Sequence, residues 1–192
     1  MNSREIATII VFTALTIVSN PIRIPTLYWP GFFYRIWEIP IVVTFLLFGP
    51  KIGISVAAMN VIAQIALFPV SAAYLAYPWG LLATLTMLLG VHLASRLLAR
   101  TSQEKPHSKR RAVIYLTALG IAFRAGIMPF VDYVVYLSLL PLALGQTFSE
   151  AYVLGLIPSI VIFNLTVPLY TIPIGYLIAR KVGTGLQIGN KF

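Results

Sequence analysis

Long apolar segments recur along almost the whole chain, and they restrict its fold more than any other feature of the sequence. Residues 75–98, 112–142 and 152–178 are each long enough to cross the roughly 30 Å hydrocarbon core of a bilayer as a helix. They lack the period-2 alternation of membrane β-strands. Hydrophobic residues make up 59% of the chain and charged residues 10%, which is more apolar than soluble domains are. The sequence therefore predicts an all-α integral membrane protein.

We predict six transmembrane helices in a single domain that covers residues 1-192. The spans are expected at about 6-22, 36-48, 52-68, 75-98, 112-142 and 152-178. The second span would be only about 20 Å long as a helix, and just Gly49-Pro50-Lys51 separates it from the third. An aromatic, proline-rich loop at residues 23–35 follows the first span.

The distribution of positive charge predicts the orientation in the membrane. Of the 14 Lys and Arg residues, only Arg23 and Arg35 fall on the side away from the termini, and Arg124 lies within a span. Lys and Arg concentrate in the cytoplasmic loops of membrane proteins, so we expect both termini in the cytoplasm. The net charge of +9 then reflects this topology and attraction to anionic membrane lipid. No nucleic-acid partner is expected.

The sequence carries no motif for catalysis or for metal binding. The chain has no Cys, which excludes thiol chemistry and Cys-based metal sites. His92 and His107 lie in different regions and do not form a metal-binding pair. There is also no Gly-rich phosphate loop, so the chain is not expected to hydrolyse ATP itself. We therefore expect no enzyme activity, no metal and no cofactor.

Ionisable residues inside membrane spans are costly, so each one indicates a partner or a function. Arg124 is predicted near the midplane of the fifth span, and Asp132 lies about 12 Å further out along the same helix. Glu38, near the outer end of the second span, is a candidate partner for Arg124. The polar groups gather in the outer half, as expected for a pocket that opens outward. Ion pairing within the bundle and exposure to interfacial water remain alternatives.

Steps of four residues place Arg124, Met128, Asp132 and Tyr136 on one face of the fifth span. The aromatic residues near the outer loops can form an interfacial belt or stack on a ring-shaped ligand. We predict a ligand pocket formed by Trp29, Tyr34, Glu38, Trp79, Arg124, Asp132, Tyr136 and Asn164. The alternative is a small self-sufficient transporter that couples transport to protons through Asp132 and Arg124.

The segment from Glu38 to Phe68, EIPIVVTFLLFGPKIGISVAAMNVIAQIALF, has a recognisable pattern. Glu-Ile-Pro is followed by an apolar run, Leu-Phe-Gly-Pro and then Gly53. It resembles helices two and three of the substrate-binding S components of energy-coupling factor (ECF) vitamin transporters. The last span adds Ile157-Pro158 and Phe163-Asn164-Leu165, which are similar to the riboflavin-type members of that family.

The resemblance implies a six-helix bundle that captures a small water-soluble vitamin or precursor at the plasma membrane of a prokaryote. It implies an ECF coupling protein and two ATPase subunits as partners, and a subunit that topples in the bilayer to release its ligand. The pocket would be built by the outer parts of the last three helices and capped by the first outer loop. The family's Ala-x-x-x-Ala docking motif reads Ala7…Val11 here, with Ala14 a turn further. We therefore expect the coupling protein to dock on these three residues.

Overall fold

The computed structural model describes residues 2–28, 32–68, 73–101, 109–145 and 147–185, and these residues are almost entirely helical. Two short strands and a π-helical segment, Val135–Leu139, complete the described structure. The helices are α1 Ser3–Ser19, α2 Glu38–Phe48, α3 Pro50–Leu67, α4 Ala73–Thr101, α5 Lys109–Val134, α6 Leu140–Leu144 and α7 Glu150–Gly185. Since α5, the π-helical segment and α6 follow one another without a break, the described residues form six helical rods.

These rods match the six predicted spans to within a few residues at most ends. The largest difference is at α7, which continues to Gly185, seven residues beyond the expected 178. The physical reason is that a helix can continue through polar and basic residues such as Arg180 and Lys181. The length of an apolar segment therefore predicts only the part of the helix that lies in the membrane. Pro158, Pro168 and Pro173 all lie within this helix.

The described part of the chain contains four helices that are long and apolar enough to cross a membrane. They lie at Pro50–Leu67, Ala76–Arg100, Arg110–Ala143 and Glu150–Gly185. The other two rods are shorter: α1 has 17 residues and α2 has 11. At 1.5 Å per residue α2 is about 16 Å long, roughly half of a bilayer core. The chain is thus a multi-pass membrane protein by its helices, and six crossings stay a prediction.

A tight turn joins α2 to α3. Gly49 has a φ of 92° and a ψ of 174°, a region of backbone conformation that is essentially restricted to glycine. Pro50 follows as the first residue of α3, where its missing N–H leaves no helical hydrogen bond unmade. At Gly53 an added Cβ would lie 2.6 Å from the Cα of Phe45. The two helices therefore pack almost backbone to backbone.

The segment between α1 and α2 forms a small β-hairpin, a local addition to a fold that is otherwise all-helical, as predicted. Strand β1, Arg23–Pro25, pairs antiparallel with β2, Phe33–Arg35, and Arg23 lies opposite Arg35. Strands of three residues are too short to show a periodic pattern, and prolines in the segment favour a loop reading. The hairpin was therefore predicted as an irregular loop.

The core of the bundle lies where α2 meets α3, α4 and α7. Ile41, Val42, Val56, Met87 and Ile172 are completely buried there. Around this core α4 packs along α5, α5 packs along α7, and α1 packs against α3. This order brings α4, α5 and α7 together on one side of the bundle, where the hairpin joins them.

Candidate binding site

A cavity of about 210 Å³ lies between α4, α5 and α7, with the hairpin as a further wall. These are the elements from which the pocket was expected. The volume is below the roughly 300–1,000 Å³ of pockets for drug-sized ligands, so the cavity suits a small molecule. Apolar and aromatic side chains contribute much of its lining, and the acidic and basic residues that line it are Arg35, Glu38, Arg124 and Asp132.

Aromatic and hydroxyl contacts hold the hairpin on α7. Phe163 of α7 stacks on Phe32 at a ring-centroid distance of 5.1 Å and on Tyr34 at 5.6 Å. The Tyr34 hydroxyl shares a hydrogen bond of 2.9 Å with Thr166 Oγ1, and the Tyr170 hydroxyl donates to the Arg35 carbonyl oxygen at 2.9 Å. The hairpin is thereby docked over the cavity by ring stacking and hydrogen bonds.

Arg124 is the centre of a buried polar cluster at the cavity. Its Nη1 donates to Glu38 Oε2 at 2.5 Å, and its Nε donates to Asn164 Oδ1 at 3.1 Å. The Asn164 amide is itself oriented, because its Nδ2 donates to the Ile160 carbonyl oxygen at 3.0 Å. The side chains of Arg124 and Glu38 are 3% and 7% exposed. Glu38 is thus the partner of Arg124, as expected, and the cluster ties α2, α5 and α7 together.

Asp132 occupies a second polar position on the same face of α5. Trp79 Nε1 of α4 donates to Asp132 Oδ1 at 2.5 Å. The Trp79 ring also meets Tyr136 edge to face, with centroids 5.6 Å apart. Tyr136 belongs to the π-helical segment, and such segments are frequent at functional sites. The predicted stripe of Arg124, Met128, Asp132 and Tyr136 lies along the cavity as a whole.

Six of the eight predicted pocket residues line the cavity: Glu38, Trp79, Arg124, Asp132, Tyr136 and Asn164. Tyr34 does not line the cavity but stacks on Phe163, which does. Trp29 lies outside the described residues. Ligand contact by any of them stays a prediction. The proton-coupled mechanism stays an alternative, and the side-chain oxygen atoms that accept from Arg124 belong to Glu38 and Asn164.

The cavity-wall residues that sequence reasoning did not predict include Arg35, Trp37, Phe163 and Tyr170. Arg35 was counted only toward the charge distribution, and Trp37 was one of the aromatic residues left open between an interfacial belt and ligand stacking. Phe163 precedes Asn164 in the motif of the last span, and this was the one available signal for it. Tyr170 follows Phe163 by seven residues, which is two helical turns and hence the same face.

The ionisable side chains of the hairpin are also affected by their surroundings. Burial lowers the pKa of the Arg35 guanidinium, and the positive charge of Arg23 on the opposite strand lowers it further. Burial raises the pKa of the Tyr28 hydroxyl, and its hydrogen bond of 3.1 Å with Tyr34 adds to that effect. The tyrosine therefore stays neutral at physiological pH, whereas the arginine is a cation in an environment that disfavours its charge.

No protein-family model and no curated protein matches the chain. In structure the chain is similar to the S component of a bacterial ECF transporter, with a TM-score of 0.70. The similarity covers 97% of this chain and 99% of that chain, at 21% sequence identity. The chain has the S-component fold. The resemblance that residues 38–68 indicated thus extends to the fold of 97% of the chain.

Proposed function

We propose that this chain is the substrate-binding membrane subunit of an ECF-type importer for a small water-soluble vitamin or precursor. The observation that carries the proposal is the cavity under the hairpin, where buried charged and aromatic groups face space for a small molecule. A bundle that only supported its own fold would not leave ionisable groups beside an opening, given their cost in a membrane. The S-component fold supports the same role.

The cavity suggests how a ligand is held. Trp79, Tyr136 and Phe163 offer ring surfaces for stacking, which is typical of the recognition of flat heterocycles. Glu38, Arg124, Asp132 and Asn164 supply donors and acceptors that fix its orientation. Since the hairpin is docked on α7 by rings and hydroxyls, we expect it to move away when the ligand enters and to close again over the bound ligand.

The rest of the proposal concerns topology and partners. Six helices cross the plasma membrane of a prokaryote, both termini are cytoplasmic, and the cavity opens to the outside. The energy comes from an ECF coupling protein and two ATPase subunits. The coupling protein docks on α1, whose residues Ala7, Val11 and Ala14 are all exposed, on the side away from the buried Ile9 and Thr13. Small side chains at such a surface permit close helix approach.

The decisive experiment is to purify the chain in detergent, denature it and identify any released small molecule by mass spectrometry. A thermal-shift screen across water-soluble vitamins and their precursors complements it. We expect one compound to raise the melting temperature strongly, because a ligand that binds only the folded state stabilises it. No stabilisation and no released ligand would count against the binding role.

The transport mode is tested in proteoliposomes. The proposed subunit alone should bind the ligand but not accumulate it, and ATP-driven uptake should require the coupling protein and the ATPases. Accumulation by the chain alone under a pH gradient would instead support the self-sufficient proton-coupled transporter.

A further inference from the structure

Arg35 is the cation of the cavity for which the described structure records no partner. It closes strand β2 and its side chain is half-buried at the cavity wall. Among the described residues, no hydrogen bond or ion pair is recorded for its guanidinium, whereas Arg124 contacts both Glu38 and Asn164. The backbone carbonyl of Arg35 accepts from Tyr170, so the strand end is held in place while the side chain is left available.

Trp37 supplies a second unused donor two residues further along the chain. Its side chain lines the same cavity and is only 5% exposed. Its Nε1 has no hydrogen-bond partner within the described part of the chain. A buried N–H without an acceptor is unfavourable, and buried polar groups in native proteins are nearly always paired. Two unpaired donors at one wall therefore indicate that an acceptor is supplied from outside the chain.

The carboxylates of the cavity are already engaged elsewhere. Glu38 accepts from Arg124, and Asp132 accepts from Trp79. Across the hairpin Arg35 lies opposite Arg23, a like charge, and the attraction of the Glu38 carboxylate acts on Arg35 more weakly than burial and Arg23 do. Burial and Arg23 both disfavour the charged form of Arg35, which lowers its pKa. An anion placed at the guanidinium would relieve both effects.

We propose that the ligand of this cavity carries an anionic group, a carboxylate or a phosphate, which binds the Arg35 guanidinium and accepts a hydrogen bond from Trp37 Nε1. The inference rests on the proposed binding function and narrows its substrate class. A guanidinium matches the two oxygens of such a group in a bidentate arrangement, which gives strong and directional binding. A neutral ligand could offer an acceptor to Trp37 Nε1 but no negative charge to Arg35, and a purely cationic ligand would repel Arg35, so both classes are disfavoured as ligands.

The test is a thermal-shift and binding titration with matched pairs of probes. The carboxylate arm compares nicotinate with nicotinamide, biotin with biotinamide, and pantothenate with pantothenol. The phosphate arm compares pyridoxal 5′-phosphate with pyridoxal. We expect any compound that stabilises the protein to be the anionic member of its pair. Stabilisation in the carboxylate arm would identify the anionic group as a carboxylate, and stabilisation in the phosphate arm would identify it as a phosphate.

Three variants test whether Arg35 and Trp37 bind the anionic group of the probe. Arg35→Gln should weaken binding of the anionic probe by about 10- to 100-fold, the range for hydrogen bonds to charged groups. Its ligand-free melting temperature should stay the same or rise, because an unpaired buried charge is removed. Arg23→Gln is the matched comparison, since Arg23 is exposed on the same hairpin and does not line the cavity, and it should weaken binding much less than Arg35→Gln does. Trp37→Phe keeps the ring and should weaken binding by a smaller factor.

The possible results separate this inference from the function on which it rests. Stabilisation by a neutral or cationic probe alone, or equal stabilisation by both members of a pair, would overturn the anionic class and leave the binding role intact. Unchanged affinity in Arg35→Gln would also overturn it. Should that variant fail to fold, Arg35→Lys keeps the charge, and loss of its preference for the anion would contradict the proposal. Stabilisation by no compound in any screen would count against both conclusions.

Discussion

Arg124 shows how a single residue in this protein can tie helices together and also line the cavity. Its guanidinium reaches Glu38 at the start of α2, Asn164 of α7 and, more weakly, the Met87 sulfur of α4 at 3.9 Å. The residue thus joins four helices while one side of it faces the cavity. The sequence left pairing within the bundle and cavity lining as alternatives, and the structure realises both.

The first prediction concerns removal of one partner of this pair. Glu38→Ala leaves the Arg124 charge buried without its counter-ion, which should lower the free energy of unfolding by about 3–5 kcal/mol. The measurement is the melting temperature and the monodisperse yield of the detergent-solubilised protein. Glu38→Gln combined with Arg124→Gln removes both charges and should recover much of the loss. A single variant as stable as the wild type would contradict the ion pair.

Asp132→Asn serves as the matched comparison at the same cavity. The amide oxygen still accepts from Trp79 Nε1, and no charge is left unpaired by the change, so the fold should be retained. Ligand affinity should fall, because the amide replaces one of the carboxylate acceptors proposed to orient the ligand with an N–H donor. Loss of folding in Asp132→Asn would instead assign this residue a structural role.

At the scale of the helices, close contact between α4 and α5 sets the geometry of the cavity. An added Cβ at Gly90 of α4 would lie 2.3 Å from the Leu119 carbonyl oxygen and 2.9 Å from the Gly120 Cα of α5. These are backbone atoms, so no side chain can turn aside to relieve the contact. The same helix pair presents Trp79 and Asp132 to each other at the cavity.

Gly90→Ala should therefore force α4 and α5 apart. We expect a loss of about 1–3 kcal/mol of stability, the usual cost of overpacking, together with weaker ligand binding. Gly126→Ala is the control, because nothing lies within 4 Å of its added Cβ. That change should be neutral or stabilising by up to about 1 kcal/mol, since Ala favours the helix over Gly. Equal effects of the two variants would show that helix propensity, not contact, explains the result.

The outward face of α1 gives a prediction about assembly. Ala14→Trp introduces a large ring on the proposed docking surface and should abolish co-purification with the coupling protein. Ligand affinity should be unchanged, because α1 contributes no described residue to the cavity wall. Ala122→Trp on the exposed face of α5 is the matched control. Equal loss of the complex in both variants would argue against a specific surface on α1.

At the scale of the whole molecule, the surface is that of a protein surrounded by lipid. Large apolar side chains are exposed on several rods, among them Ile10 at 63%, Val18 at 75%, Phe130 at 71%, Leu142 at 84% and Leu169 at 59%. A water-soluble monomer rarely exposes so many large apolar groups over its surface. The polar groups are collected inside, at the cavity and its hairpin. This inversion of the usual pattern is consistent with a ligand site that is reached from one side of the membrane.

The proposed orientation is open to a direct test because the chain has no Cys. Arg23→Cys on the hairpin and Lys181→Cys near the end of α7 both place a thiol at an exposed position. In intact cells a membrane-impermeant maleimide should label only the first, and the second should react after permeabilisation. The opposite pattern would invert the topology, and labelling of the cysteine-free wild type would reveal a background reaction.

The sequence by itself determined the helical membrane character, the six rods and most of their ends. These follow from the lengths of apolar segments and from local signals such as Gly49-Pro50, which act within a few residues of the chain. The stripe from Arg124 to Tyr136 was also predictable, since helical periodicity alone places its members on one face. A counter-ion for Arg124 was expected because a charge buried in a membrane is costly, and the sequence named Glu38 as a candidate that the structure then paired with it.

Only the tertiary structure decided which side chains meet at the cavity. Arg35, Trp37 and Tyr170 acquire their positions because the hairpin folds back onto α7, a contact between residues more than 100 positions apart. No local pattern encodes such a contact. The same contact changes the meaning of Arg35, which in sequence is one exposed loop charge among others. In the folded protein it is a half-buried cation beside an opening, because the energetic cost of a charge depends on what surrounds it in space.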